Sequence, residues 1–222
     1  MMILSLDTAT VVGFAFGQTG CEVPTFGARD FSGAGGNGEV IGKFRQWLNQ
    51  RCYQLRPVLV VFEAPYIPVF QKRKPGGPPP MNALTLRRLI GLTETVCAVC
   101  WELHIECREA TAGEISRFFT GVFRHSGGRE AKKAATVAMC QAWGWDVEDD
   151  DNAADALALW AMAEAKVDPR AHQQRGGEGA LFLRSANRDA AKKNAPRRQP
   201  RSARTLPQLD EGNSSLWPTG AM

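Results

Sequence analysis

The sequence predicts an α/β fold in which helices cover both faces of a mixed sheet. Short runs of branched apolar residues, including residues 3–6 and 58–62, are typical of strands that are buried on both faces. Longer stretches such as 39–53 place apolar residues at helical spacing. The chain has 222 residues, of which 44% are apolar, and this composition is enough for the core of one ordinary domain.

The first strands are predicted to form a hairpin. Residues 2–6 and 11–17 are strand-like runs, and the polar turn 7–10 separates them. A third extended stretch lies at about 24–31 and leads into a glycine-rich loop at 32–38. This loop lacks the Lys-Ser/Thr pair of a P-loop, so the sequence gives little support for a nucleotide-phosphate site there.

The rest of the predicted domain alternates strands with helices. A long proline-rich stretch at 64–80 is predicted to be a loop, because proline removes backbone donors and fixes φ. The remaining predicted elements are a helix at 39–53, a strand ending at Glu63, a helix at 82–103, a strand at 104–108, and helices at 111–119, 130–143 and 152–166.

Charge divides the chain into two parts. Residues 1–167 contain 17 basic and 18 acidic residues, whereas residues 168–222 contain 10 and 5. We therefore expect a near-neutral folded domain at 1–167 and a basic, disordered tail at 168–222, since the tail has too few aliphatic residues to fold independently. Such a tail adds attraction to phosphate backbones or is simply solvated.

Other features of the composition narrow the class of protein. No apolar run is long enough to span a membrane, and no signal peptide is evident, so we expect a soluble, cytoplasmic protein. The six cysteines are irregularly spaced in apolar settings, which favours reduced thiols over a disulfide framework. Cys97 and Cys100 form a C-x-x-C pair, but no second ligand pair supports a zinc site.

Acidic residues end two predicted strands and open the last predicted helix. Asp7 and Glu63 follow apolar runs, and Asp151 and Asp155 lie one helical turn apart. Carboxylates that converge from separate rigid elements are what two-metal phosphodiester hydrolysis requires, with Mg²⁺ or Mn²⁺ as the metal and two ions in each site. The acids at 149–151 also suit a helix N-terminus, so a capping role is the alternative.

The order of these motifs resembles the RuvC family of Holliday-junction resolvases, within the RNase H-like superfamily. The similarity covers residues 2 to about 166, and its most specific part is the stretch 152–159, Asn-Ala-Ala-Asp-Ala-Leu-Ala-Leu. The resemblance implies an RNase H-like mixed sheet flanked by helices. It also implies metal-dependent cleavage of branched DNA, with Asp7, Glu63 and Asp155 as metal ligands.

The fourth ligand departs from the family pattern. Asn152 stands where the family usually has Asp or His, and Asp151 precedes it by one residue. An Asn side chain coordinates through its carbonyl oxygen but contributes no charge. We therefore favour Asp151 as the fourth ligand and keep Asn152 as the alternative.

Aromatic and basic residues are candidates for contacts with DNA. Tyr66, with Phe70 in reserve, matches the family's aromatic residue near the bases of the junction, where stacking is worth about 1–3 kcal/mol per base. Lys132 and Lys133 resemble the family's basic residues near the scissile phosphate. The alternative is that the two aromatic residues pack on the domain and that the two lysines are simply solvated. Further candidates from two basic loops are Lys72, Arg73, Lys74, Arg124 and Arg129.

The resemblance also implies an assembly and a substrate. The family forms homodimers on four-way junctions, and the apolar helix at 82–103 permits a dimer interface. The proline-rich loop and the arginine-rich tail favour a phage or mobile-element variant that acts on junctions, forks or flaps. Two other functions remain open. One is a non-cleaving RNase H-like protein that binds branched DNA. The other is a scaffold protein of tRNA modification with an actin-like fold, because the turn at 7–10 is similar to a turn in that class of protein.

Overall fold

The computed structural model describes residues 1–33, 35–65, 82–123, 125–148 and 150–175. Within these ranges the strands are β1 (Met2–Asp7), β2 (Val11–Gln18), β3 (Thr25–Asp30), β4 (Leu59–Glu63) and β5 (Glu106–Ala110). The helices are α1 (Gly36–Leu55), α2 (Ala83–Glu102), α3 (Ala112–Phe119), α4 (Gly128–Ala142), α5 (Asp151–Val167) and α6 (Pro169–Arg175).

The five strands form one mixed sheet in the order β3-β2-β1-β4-β5. The pairs β1 with β2 and β2 with β3 are antiparallel, which confirms the predicted hairpin and third strand. The pairs β1 with β4 and β4 with β5 are parallel. The chain therefore has the predicted α/β architecture of a mixed sheet flanked by helices.

Alternation along the strands divides the core into two clusters, one on each face of the sheet. Ile3 and Val61 point to the face covered by α3, α4 and α5. Leu4, Leu6 and Phe62 point to the face covered by α1 and α2. Because successive side chains of a strand point to opposite faces, these two clusters fix the direction of every side chain in β1 and β4.

One predicted strand is displaced by two residues. The sequence predicts a strand at 104–108, whereas β5 spans Glu106–Ala110. His104 does not start the strand; it adopts a left-handed conformation with φ of 55° just after the C-cap of α2. Residues 104 and 105, which were predicted to lie in the strand, belong instead to the turn between α2 and β5. The N-terminus of α3 then follows directly, with Thr111 and Glu114 forming a capping box.

The folded region continues beyond the predicted boundary at residue 167. Helix α6 packs on α5, and the backbone N–H of Ala171 donates to Asp168 Oδ1 at 3.1 Å. The ring of His172 lies between those of Phe118 and Trp143, at centroid distances of 5.3 and 5.4 Å. These contacts explain why the first residues of the predicted tail are helical. The rest of that tail, 176–222, lies outside the described residues.

Two expectations from composition concern the whole domain. All six cysteines are free thiols, as their spacing predicts. In the part of the chain that the structure describes, no helix has the length and apolar character needed to cross a membrane.

Candidate active site

Asp7 and Glu63 are the last residues of neighbouring parallel strands. Leu6 of β1 is in register with Phe62 of β4, so the next residues, Asp7 and Glu63, end at the same edge of the sheet. Leu6 and Phe62 point to the α1 and α2 face. Alternation therefore directs Asp7 and Glu63 to the opposite face, beneath α5.

Helix α5 brings a third carboxylate to this face. The hydroxyl of Ser5 in β1 donates to the carbonyl oxygen of Ala156 at 2.8 Å, so the first turns of α5 lie directly over the end of β1. A Cβ added to Gly13, which pairs with Asp7 in the sheet, would lie 2.0 Å from the carbonyl oxygen of Asn152. The absence of a side chain at Gly13 thus permits the close approach that places Asp155 near Asp7.

Asp7, Glu63 and Asp155 interact electrostatically, and we call them the inner carboxylates. Burial, with the negative charges of Glu63 and Asp155, raises the pKa of Asp7 from 3.8 to about 8. Burial also raises the pKa of Glu63 and that of Asp155, and the charge of Asp155 adds to the effect on Glu63. The inner carboxylates therefore form a group of acids whose negative charge is incompletely compensated.

Lys132 of α4 is the cation that acts on all three inner carboxylates. Its Nζ lies 3.6 Å from Oδ1 of Asp155, and the two side chains are 24% and 19% exposed. The charge of Lys132 lowers the pKa of each inner carboxylate and so opposes the effect of burial. Arg129, one turn earlier on α4, also lowers the pKa of Asp7.

Asp151 has a different environment at the start of α5. It forms an ion pair with Lys133 of α4, and this hydrogen-bonded partner holds the pKa of Asp151 below its usual value. Asp150, rather than Asp151, caps the helix, because its Oδ1 accepts the backbone N–H groups of Asn152 and Ala153, both at 3.1 Å. We call Asp151 the rim carboxylate; its role as the fourth ligand stays a prediction.

The structure thus gathers all six residues that were predicted to be catalytic at one edge of the sheet. These six are the three inner carboxylates, the rim carboxylate and the two lysines of α4; Asn152 belongs to the same group, and Arg129 lies close enough to influence it. The other predicted DNA contacts fall outside the described residues: Tyr66, Phe70, Lys72, Arg73, Lys74 and Arg124. These six remain sequence-based predictions.

His125, in the loop before α4, is engaged with α3. Its Nε2 lies 3.2 Å from Oγ of Ser116 and 3.3 Å from Oγ1 of Thr120. Burial, together with the charge of Lys132, lowers the pKa of His125, which disfavours the imidazolium form that a phosphate would attract. This histidine anchors the start of α4 to α3.

Three residues of the site were not found from the sequence. Thr8 ties the turn after Asp7 to β4, because its hydroxyl donates to the carbonyl oxygen of Glu63 at 3.2 Å. Ser5 is a fully buried polar residue in an apolar strand, and Gly13 interrupts a strand. A polar residue within an apolar run and a strand glycine are both signals of a special contact, but neither tells which element makes that contact.

Among the described residues, five helices begin near the edge of the sheet that carries the inner carboxylates. Helices α1 and α3 follow strands that end there, and α5 starts over Gly13. Near its start, α2 is tied to Thr10, and α4 directs Lys132 toward Asp155. The N-terminal end of a helix carries partial positive charge. The edge therefore combines a negative centre with surroundings that favour an anion.

Carboxylate oxygens are the donors that Mg²⁺ and Mn²⁺ prefer, so the inner carboxylates are the residues that suit a divalent cation. Their raised pKa values show that a positive charge among them would be favourable. Within the described ranges, however, no three or more His, Cys, Asp or Glu side chains are gathered closely enough to form a metal site as they stand. The donor chemistry fits a cation, and the spacing of the side chains is wider than a bound cation requires.

Comparison with known proteins supports the fold. No protein family and no curated protein matches the sequence. Thermus thermophilus RuvC matches the structure with a TM-score of 0.50 and 12% identity, over 72% of this chain and 90% of that chain. The structure of T. thermophilus RuvC in complex with Holliday junction substrate matches with a TM-score of 0.50 and 11% identity, over 72% and 89%.

A third solved structure is similar over a longer part of this chain. The yeast mitochondrial Holliday junction resolvase Ydc2 matches with a TM-score of 0.48 and 10% identity, over 86% of this chain and 83% of that chain. The two matches to RuvC show that the chain has a RuvC-like, RNase H-like fold. This confirms the resemblance drawn from the sequence at the level of the fold.

Proposed function

We propose that the protein is a metal-dependent endonuclease that cleaves branched DNA, including four-way junctions. The observation that carries the proposal is the meeting of Asp7, Glu63 and Asp155 from β1, β4 and α5 beside Lys132. Acids with raised pKa values in such a group are suited to hold cations, and a lysine beside them is suited to a phosphate. The RuvC-like fold supports the same function.

The proposed mechanism assigns a separate task to each group. Asp7, Glu63 and Asp155 would hold two Mg²⁺ or Mn²⁺ ions, with Asp151 or Asn152 as a further ligand. When bound, these ions activate the attacking water and stabilise the leaving oxygen.

Lys132, which is 3.6 Å from Asp155, would turn toward the scissile phosphate and stabilise its developing negative charge. In this mechanism the inner carboxylates would move closer together once their repulsion is neutralised by bound cations.

We propose branched DNA as the substrate because of the positive charge around the inner carboxylates and the similarity to RuvC. The helix N-termini near the inner carboxylates favour a polyanion, and Arg129 and Lys133 add positive side chains. One of the matching RuvC structures contains Holliday junction substrate, and we extend branched DNA to this chain as its substrate class. The predicted DNA contacts at Tyr66 and residues 72–74 follow Glu63 in the sequence and lie outside the described residues.

We also propose that the protein forms a homodimer. Two large apolar side chains of α2 are strongly exposed, Leu84 at 61% and Trp101 at 79%. A second copy that covers these residues would bury apolar surface and supply a second active site for the opposing strand of a junction. Sedimentation of the purified protein tests this part independently of cleavage.

The function is tested by incubating the protein with four-way junction, fork, flap and linear duplex DNA, with Mg²⁺ and with EDTA. We expect nicks that carry 5′-phosphate and 3′-hydroxyl ends, only with Mg²⁺ and preferentially on branched substrates. Binding without cleavage would favour the non-cleaving DNA-binding function instead. Absence of both binding and cleavage would contradict the proposal.

A further inference from the structure

A partly buried arginine joins three elements at the edge of the sheet where β1 ends. Nε of Arg88 on α2 donates to Oδ1 of Asn37 on α1 at 2.9 Å, and its Nη1 donates to Oγ1 of Thr10 at 3.1 Å. Thr10 closes the turn that begins directly after Asp7 and leads into β2. Arg88 therefore lies at the same edge of the sheet as the inner carboxylates, on the side that α1 and α2 cover.

Among the residues that the structure describes, no Asp or Glu pairs with the positive charge of Arg88. Both side chains that accept its hydrogen bonds are neutral. Residues 66–81, which precede α2 in the sequence, include no Asp or Glu. A guanidinium has five N–H donors, so three of them remain for another acceptor.

These properties fit a phosphate group. A purely structural arginine in a partly buried position is commonly neutralised by a carboxylate, because an uncompensated charge there is costly. A guanidinium that is already held by neutral partners presents its remaining donors in a fixed plane, which suits bidentate contact with phosphate oxygens.

We propose that Arg88 binds a phosphate of the DNA backbone and holds it in a fixed position relative to Asp7. Thr10 and Asn37 orient the guanidinium, and the same hydrogen bonds fix the turn after Asp7. This inference rests on the proposed function, because its ligand is the DNA that the inner carboxylates would cleave. It adds to that function a phosphate-binding residue on α2.

The test compares Arg88→Met with Arg87→Met, which removes the same charge from the adjacent residue. Arg87 is exposed on α2, whereas Arg88 is partly buried. Binding of a fluorescent four-way junction is measured in EDTA over a range of salt concentrations. We expect Arg88→Met to weaken binding about tenfold and to reduce the slope of log affinity against log salt by about one, with little change for Arg87→Met.

Further variants separate phosphate binding from a role in folding. Arg88→Gln removes the charge but retains a donor, and it replaces Arg88→Met if that variant does not fold. Thr10→Val retains the charge, so we expect an unchanged salt slope but a lower kcat in Mg²⁺, because the guanidinium is no longer oriented. Melting temperatures monitor the fold of each variant.

Equal affinities and salt slopes for the Arg87 and Arg88 variants would overturn the inference. So would an Arg88→Gln variant that only lowers the melting temperature, since that result would make Arg88 a structural tie. Either result would leave the proposed function standing if the wild-type protein still cleaves junctions. A wild-type protein that neither binds nor cleaves DNA would instead remove the proposed function and this inference together.

Discussion

The inner carboxylates and the rim carboxylate lie at the same edge of the sheet but in opposite electrostatic environments. Burial and neighbouring acids raise the pKa of Asp7, Glu63 and Asp155. The ion pair with Lys133 lowers the pKa of Asp151. Asp151 and Asp155 are only one helical turn apart on α5, so a single turn separates an acid that has its own cation from one that shares Lys132 with two others.

This difference shows that residue type and spacing do not decide which acids have unmet negative charge. The unmet negative charge of each acid depends on how deeply the acid is buried between α5 and the sheet. It also depends on which lysine of α4 faces that acid. The inner carboxylates are therefore the proposed centre of metal binding. The rim carboxylate is at most an auxiliary ligand, unless a metal ion displaces Lys133 from it.

The largest effect is expected for the inner carboxylates themselves. Asp7→Asn, Glu63→Gln and Asp155→Asn nearly preserve shape but each removes a ligand charge, so cleavage of a four-way junction in Mg²⁺ is expected to fall on the order of 10³-fold. Junction binding is expected to survive, because the surrounding positive groups are unchanged. Wild-type cleavage by Asp7→Asn would place the chemistry elsewhere.

The two lysines of α4 provide a matched pair. Lys132 influences all three inner carboxylates, whereas Lys133 pairs with Asp151. We expect Lys132→Met to lower kcat about 10²-fold by removing stabilisation of the phosphate, and Lys133→Met to have a much smaller effect. Single-turnover cleavage measures both, and equal losses would remove the distinction between an inner and a rim group.

Stability without metal is expected to depend on pH through Asp7. In the folded protein its pKa is about 8, whereas an unfolded Asp ionises near 4. The folded state therefore binds more protons between these values, and stability falls as pH rises from about 4 to about 8. Asp7→Asn removes this loss, so in EDTA it should exceed the wild type in stability at pH 8.

The expected gain for Asp7→Asn at pH 8 is on the order of 1–3 kcal/mol, because solvent screens a carboxylate that is still partly exposed. Urea unfolding in EDTA at pH 5 and pH 8 measures it. The stability difference between the variant and the wild type is expected to be much smaller at pH 5. A difference that does not change with pH would show that Asp7 ionises normally.

The smallest effects concern the fourth ligand. If Asp151 completes the metal site, Asp151→Asn lowers cleavage about tenfold and Asn152→Ala does little; the opposite ranking would assign the ligand to Asn152. If Asp151 serves only the start of α5 and the ion pair with Lys133, both variants cleave normally. Asp151→Asn then costs about 0.3–1 kcal/mol of stability. Cleavage assays and thermal unfolding of the two variants distinguish these outcomes.

Much of the site could be predicted from local sequence. Asp7 and Glu63 each end an apolar run, and parallel pairing of such runs brings their ends together. The position of Asp155 in the first turns of a helix also follows from the pattern of apolar residues. The structure confirms these positions, and they were predictable because strand ends and helix starts are determined by local sequence.

The remaining features depend on how separate elements pack. Lys132 and Lys133 are adjacent in sequence, and only the rotation of α4 against α5 decides which of them faces Asp155. The contact of Gly13 with Asn152 and the ties of Arg88 join residues that are far apart in the chain. The displaced start of β5 reflects a turn whose left-handed residue, His104, carries no glycine or asparagine signal.

Direct titration of Mn²⁺ into the metal-free protein tests the central claim that the inner carboxylates hold the cations. Calorimetry of the wild type is compared with Asp7→Asn and with Asp151→Asn at the same pH. We predict saturable binding to the wild type, at least tenfold weaker binding to Asp7→Asn, and a smaller loss for Asp151→Asn. Wild-type affinity in Asp7→Asn, with the loss confined to Asp151→Asn, would contradict this assignment and place the metal site at the rim carboxylate.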